Sequence, residues 1–339
     1  MVRGSVLAAS AMVMVGSSVA VMGALRHFPF FAGQALRFAL AAALLLAVLK
    51  GRQRRGREPV PKVTGRQWGR ITVLAATGMV GFNAAVAVAE RSTDPALVGV
   101  VVGCAPAAIA LVTPLLARTA PSGRILLAGA VVTAGAALAQ GFGSSVGVAG
   151  VLSSVGALFG EVAFALVATP LLGPLGALRV SAYACVAAVP LCLVGMVATG
   201  GYAVPDGRQL SALLWLGAVV TACAYVQWFT AVGAIGPERA GLFTALVPVS
   251  AVGATALIGT GEPTWGHALG AGAVLLGLLV GLSGGGRPAV GTPPPGRDGH
   301  RACWHYAPAE PGASGVPGTA GAPGACGCRS DGSPKTITA

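Results

Sequence analysis

The sequence predicts an all-α integral membrane protein with ten transmembrane helices arranged as two inverted five-helix repeats. Three observations predict it. Apolar residues make up 55% of the 339 and charged residues only 9%, against about 25% charge in an ordinary soluble domain. Ten stretches approach the roughly 20 apolar residues a helix needs to cross the hydrocarbon core. Finally, the apolar part is written twice: Ala35-Leu36-Arg37 recurs as Ala177-Leu178-Arg179, and the same offset carries Pro95, Gly99, Pro106 and Thr113 onto Pro237, Gly241, Pro248 and Thr255. With an odd number of spans in each unit, the second copy must enter the bilayer from the opposite side, as in secondary transporters.

In chain order, the first five stretches lie near 5–25, 28–49, 69–89, 95–117 and 123–140. The second five lie near 148–169, 176–199, 210–232, 238–259 and 265–283. This places one unit at 1–141, the other at 142–283 and a tail at 284–339. A strand reading fails because the runs are long, rich in Ala and Leu and without alternation, and sheets cross bilayers only as closed barrels. The first run follows Arg3 and resembles a signal peptide, but it is long enough to span, and its removal would leave four helices against five.

The net charge of +12 does not imply a nucleic-acid partner, because its distribution follows the membrane. Arg52, Arg54, Arg55, Arg57, Lys62 and Arg66 crowd the connection after the second run, as the positive-inside rule expects of a cytoplasmic loop. Helix parity then puts both termini in the cytoplasm of a bacterial plasma membrane. Cys104, Cys185, Cys192 and Cys223 fall within apolar helices as free thiols, so no disulfide is expected. From Gly284 the chain turns to Gly, Pro and Ala, a composition that cannot bury enough apolar surface to order itself. His300, Cys303, His305, Cys326 and Cys328 in this tail match no zinc spacing, and neither a metal nor any other cofactor is expected.

The residues Tyr225-Val226-Gln227-Trp228-Phe229-Thr230-Ala231-Val232, Ile235-Gly236-Pro237-Glu238-Arg239-Ala240, Leu246-Val247-Pro248-Val249 and Gly261-Glu262-Pro263 resemble the second repeat of EamA-like proteins of the drug/metabolite transporter superfamily. Leu36-Arg37-Phe38 resembles a feature early in the first repeat. The resemblance spans 5–283 and implies ten helices in two inverted units around a central cavity, with outward movement of amino acids, other metabolites or drugs.

The polar residues within the runs are candidates for that cavity. Glu161 stands deep in the sixth run, where a charged residue costs roughly 2.5 to 3.5 kcal/mol on insertion scales, so it must meet water, pair with a cation or carry a proton. Those options suit proton coupling or recognition of an amine, and equally a structural acid between helices. Arg37 lies too deep in the second run for easy escape and serves either helix packing and topology or direct contact with substrate, whereas its counterpart Arg179 is placed to snorkel. Pro106 and Pro248 interrupt helix bonding at equivalent positions, either as kinks that serve packing or as a way of freeing the carbonyls of Val102 and Thr244 for water, side chains or a ligand. Asn83 and Tyr225 are also equivalent, with Gln227 and Trp228 beside the latter, and Ser17 and Ser18 lie on the first run; around one cavity they would form a polar and aromatic wall for an amphipathic amine or amino acid, while each alone suits helix-to-helix bonding or interfacial anchoring.

Gly99 and Gly103, Gly156 and Gly160, Gly266 and Gly270, and Gly277 and Gly281 carry the small-residue spacing of close helix packing, which also suits a homodimer. Enzyme signatures are missing: no nucleophile has a base beside it, and no phosphate loop for ATP is present. The expected partners are a small-molecule substrate, the lipid bilayer and protons. The competing reading is a non-transporting membrane scaffold or sensor acting through the tail.

Overall fold

The structure, a computed structural model, describes residues 2–56, 62–93, 95–140, 147–257 and 265–282. Asp94, the connection 141–146, Glu262 and the tail with its His and Cys residues lie outside these, as do the side chains of Thr255 and His267. Among the described residues every regular element is helical, and six helices are long and apolar enough to cross a membrane. They are α1 (Val2–Leu25), α2 (Phe30–Arg54), α3 (Gly65–Ser92), α4 (Leu97–Leu116) and, after the shorter α5 (Gly123–Gln140), α6 (Val148–Thr199) and α7 (Gly207–Ile235). α8 follows as Pro237–Leu242, a 3₁₀ turn Phe243–Ala245 and Leu246–Leu257, and α9 is Trp265–Leu282.

The 52 residues of α6 would measure about 78 Å if straight, more than twice the roughly 30 Å hydrocarbon core. Gly176 breaks it, with φ 76° and ψ 159°, a conformation that an L side chain rarely adopts. Pro170 and Pro174 weaken the hydrogen-bond ladder just before that point. α6 is therefore two helices, 148–175 and 177–199, matching two separate apolar runs. Arg179 lies in the first turn after the break and does not snorkel. It is 4% exposed, and its Nη1 donates to the Leu175 carbonyl at 3.3 Å, capping the helix that ends there.

The sequence duplication is visible in the local structure. α3 opens on a capping box in which Thr64 and Gln67 satisfy each other's backbone amides, and α7 opens on the same device built from Asp206 and Gln209. Each of these helices then passes through a π-helical turn, Leu74–Gly81 in α3 and Leu216–Cys223 in α7. The bounds of α5 and α9 correspond residue for residue at the same offset. These features repeat at the interval that relates Arg37 to Arg179, so the two sequence copies fold alike.

Small residues set the packing. A Cβ on Gly135 would meet Ala273 and the Gly270 carbonyl at 2.8 Å, and one on Gly277 would meet Val132 at 2.4 Å, so α5 and α9 run backbone against backbone. α1 packs on α7 and α8, α2 on α6 and on the π turn of α7, and α3 on α6. The core between them is dominated by Ala, with Phe38, Trp228 and Phe229 as its largest fully buried side chains.

Candidate functional site

A cavity of about 520 Å³ opens where α1, α2, α3, α4, α6, α7 and α8 converge. Both sequence copies contribute to it. Ser18, Arg37, Asn83, Glu161, Tyr225, Trp228 and Pro248 of the sequence-predicted residues line it. Ser17, Gln227 and Pro106 are not among the lining residues.

Their positions follow from local structure. Ser17 Oγ donates to the Met14 carbonyl at 2.6 Å and accepts from Trp215 Nε1 at 3.1 Å, so it fastens α1 to α7. Gln227 also faces α1, where its Oε1 accepts from Ser10 Oγ and its Nε2 lies 3.5 Å from the Met14 sulfur. Pro106 is the second residue of the helical segment Ala105–Leu116, beyond a turn at Gly103 and Cys104, so the chain has already broken before it. Pro248 follows the 3₁₀ turn Phe243–Ala245, whose Thr244 is a lining residue. The equivalent prolines thus each follow a break in the α-helical chain, and Val102 and Thr244 flank the cavity at those breaks.

Arg37 is 9% exposed and held by neutral groups. Its Nε donates to Thr221 Oγ1 at 2.7 Å, while Nη1 lies 3.4 Å from Asn83 Oδ1 and 3.5 Å from Gln34 Oε1. The guanidinium carbon sits 5.4 Å from the centroid of the Phe38 ring. Glu161 occupies the α6 side of the cavity, and Glu90 on α3 also lines it. Among the described residues no ion pair joins Arg37 to either acid. The site therefore presents a hydrogen-bonded cation and carboxyl groups that are not neutralised by it.

The aromatic wall is continuous. Phe164 of α6 meets Tyr225 and Phe229 of α7 in tilted ring contacts, each at 4.9 Å between centroids, and Phe82 of α3 lines the cavity with Phe164 and Tyr225. Trp228 is 2% exposed, and its indole Nε1 has no hydrogen-bond partner among the described residues. Such an arrangement can hold an apolar or π-rich body while offering hydrogen bonds and a carboxyl group at its edges.

Glu90, Phe82, Phe164, Gln34 and Thr221 were missed by sequence reasoning. Glu90 lies seven positions after Asn83, two helical turns along the same face, and that period was the available signal. Phe164 stands three positions after Glu161 in the same way. Among the described residues no group of three or more His, Cys, Asp or Glu side chains could hold a metal ion.

An all-helical bundle of long apolar spans with an interior cavity lined by ionisable, polar and aromatic side chains defines a multi-pass integral membrane protein with a solute-sized site. Residues 2–140 and 148–282 each match the EamA-like transporter family, and the chain belongs to that family, within the drug/metabolite transporter superfamily. It is 27% identical over 288 residues to the uncharacterized transporter YetK of Bacillus subtilis (strain 168), a match covering 80% of this chain and 84% of that one. A solved crystal structure of a protein that is 19% identical superposes with a TM-score of 0.68, over 82% of this chain and 97% of the other, and shows the same fold. The protein is a membrane transporter of this superfamily, working in the bilayer on small molecules.

Proposed function

We propose that this transporter is a secondary exporter of small metabolites, such as amino acids and related compounds, or of drugs, and that it works by alternating access. The carrying observation is the cavity of about 520 Å³, which draws Arg37 and Asn83 from the first matched segment and Glu161, Tyr225 and Trp228 from the second. In this reading the chain crosses the bilayer ten times, the 1–141 and 142–283 units are inverted relative to each other, and both termini are cytoplasmic. The break at Gly176 supports two crossings within α6.

Glu161 is the proton-coupling group in this reading. Charge on a carboxyl group within the span is costly, so proton uptake and binding of an amine are alternative ways of relieving the same cost. Exchange of one for the other couples their movements. The aromatic side chains hold the apolar body of the solute, and Asn83 and Tyr225 orient its polar groups. Drive by ATP has no supporting feature.

The test is transport by purified protein in proteoliposomes, across a panel of amino acids and amphipathic cations, with and without an imposed proton gradient. Gradient-dependent movement of at least one solute class is expected. Failure to move any of them, with the protein folded and inserted, would overturn the proposal.

A further inference from the structure

We propose that Arg37 is a positioning residue that ties together the two π turns flanking the cavity, one from each sequence copy, and that the Thr221 hydroxyl is the partner that makes this possible. The consequence for solute movement rests on the transporter reading above; the tie itself does not.

The geometry runs through two short chains of hydrogen bonds. On one side, Arg37 Nε donates to Thr221 Oγ1 at 2.7 Å, and that hydroxyl donates in turn to the Leu216 carbonyl at 2.8 Å, spanning the π turn of α7 from within. On the other side, Arg37 Nη1 approaches Asn83 Oδ1 at 3.4 Å, and Asn83 Nδ2 donates to the Met79 carbonyl at 2.7 Å, in the π turn of α3. A single guanidinium on α2 therefore reaches both irregular segments.

Several features make this more than incidental packing. π turns leave backbone carbonyls outside the regular i→i−4 ladder, so a side chain can bond to them and set their shape. Thr221 is fully buried, and Arg37 is nearly so; a charged group there cannot exchange its protein acceptors for water without penalty. Val220 and Gly78, within the two π turns, both line the cavity, so a change in either turn alters its wall.

The tie is also asymmetric. The residue equivalent to Thr221 in the first copy is Met79, which has no hydroxyl, and Arg179, equivalent to Arg37, donates to Leu175 across the break in its own helix. The hydroxyl-mediated link is thus built on one side of an otherwise repeated structure. The carrier cannot change the relation between α3 and α7 without stretching the weaker Asn83 contact or releasing Thr221. In the transporter reading, release of this tie accompanies the switch between the two access states.

The test is amide hydrogen exchange of the full-length protein in lipid nanodiscs, read over 74–83 and 216–225. Thr221→Val removes the acceptor while keeping the shape, and is expected to speed exchange about tenfold in both segments, the response to losing a hydrogen bond to a charged group. Thr221→Ser restores the hydroxyl and the wild-type rates. Thr230→Val is the matched control, because the Thr230 hydroxyl donates within its own helix, to the Val226 carbonyl, and it should leave 74–83 unchanged. Should Thr221→Val fail to fold, Asn83→Ala decides the matter by its effect on 216–225. A response confined to the mutated turn, or no rescue by serine, overturns the tie. A two-segment response in a protein that moves no solute overturns the transporter reading and leaves the tie standing.

Discussion

The Phe164 Cα lies 2.9 Å from where a Cβ on Gly78 would stand, so the π turn of α3 and the first half of α6 touch backbone to backbone at the cavity wall. Gly160 makes the reciprocal approach, its Cβ position lying 2.9 Å from both the Phe82 Cβ and the Thr77 carbonyl. This contact brings Glu161 and Phe164 to the same cavity as Asn83 and Phe82.

Alanine at either glycine forces these helices apart. Gly78→Ala and Gly160→Ala are each expected to destabilise the protein by about 1–3 kcal/mol, the usual cost of overpacking. Gly156 supplies the comparison, because a Cβ there meets only Ala85, at an ordinary 3.9 Å. Gly156→Ala should retain the wild-type melting temperature in detergent while the other two lose it; equal melting of all three would show that the contact is looser than described.

The fold was legible where it depends on solvent and chain symmetry. The apolar runs, including the separate 148–169 and 176–199, and the repeated Ala-Leu-Arg read directly, because hydrocarbon thickness and helix rise leave few alternatives. The π turns were not legible. Leu74–Gly81 and Leu216–Cys223 have the composition of any apolar span, and their irregularity depends on packing against other helices. Part of the cavity lining was readable from helical period: Tyr225 and Trp228 are three apart and share a face, whereas Gln227 is two from Tyr225 and points toward α1. The Arg37 to Thr221 bond joins residues 184 positions apart, and no local pattern announces it.

Glu161→Gln removes an ionisable carboxyl from the cavity while preserving its size. In the coupling proposed above, wild-type transport changes with pH and responds to an imposed proton gradient, and the Gln variant loses both responses. It keeps gradient-independent exchange of solute, since the aromatic wall is intact. Initial rates across a pH series in proteoliposomes check this, and a Gln variant with the wild-type pH profile removes Glu161 from coupling.

Truncation after Leu282 tests the competing scaffold reading. The matched segments and every lining residue lie before that point, so the shortened chain should insert, fold and transport at the wild-type rate. Loss of solute movement with normal insertion and melting would transfer the function to the tail.

Trp228→Phe separates ligand binding from folding at one atom. The buried indole N–H has no hydrogen-bond partner among the described residues, and an unsatisfied buried donor costs about 1–3 kcal/mol. Phenylalanine keeps an aromatic ring at this point of the cavity lining but drops that donor, which offsets part of the cost of the lost volume. Melting temperature should therefore change little. If the N–H is held in reserve for an acceptor on the solute, the same substitution raises KM about tenfold, the effect of one lost hydrogen bond in a desolvated pocket, with little change in maximal rate. A stable variant with unchanged KM for every transported solute would leave Trp228 as part of the wall and direct the search for the polar contact to Asn83 and Tyr225.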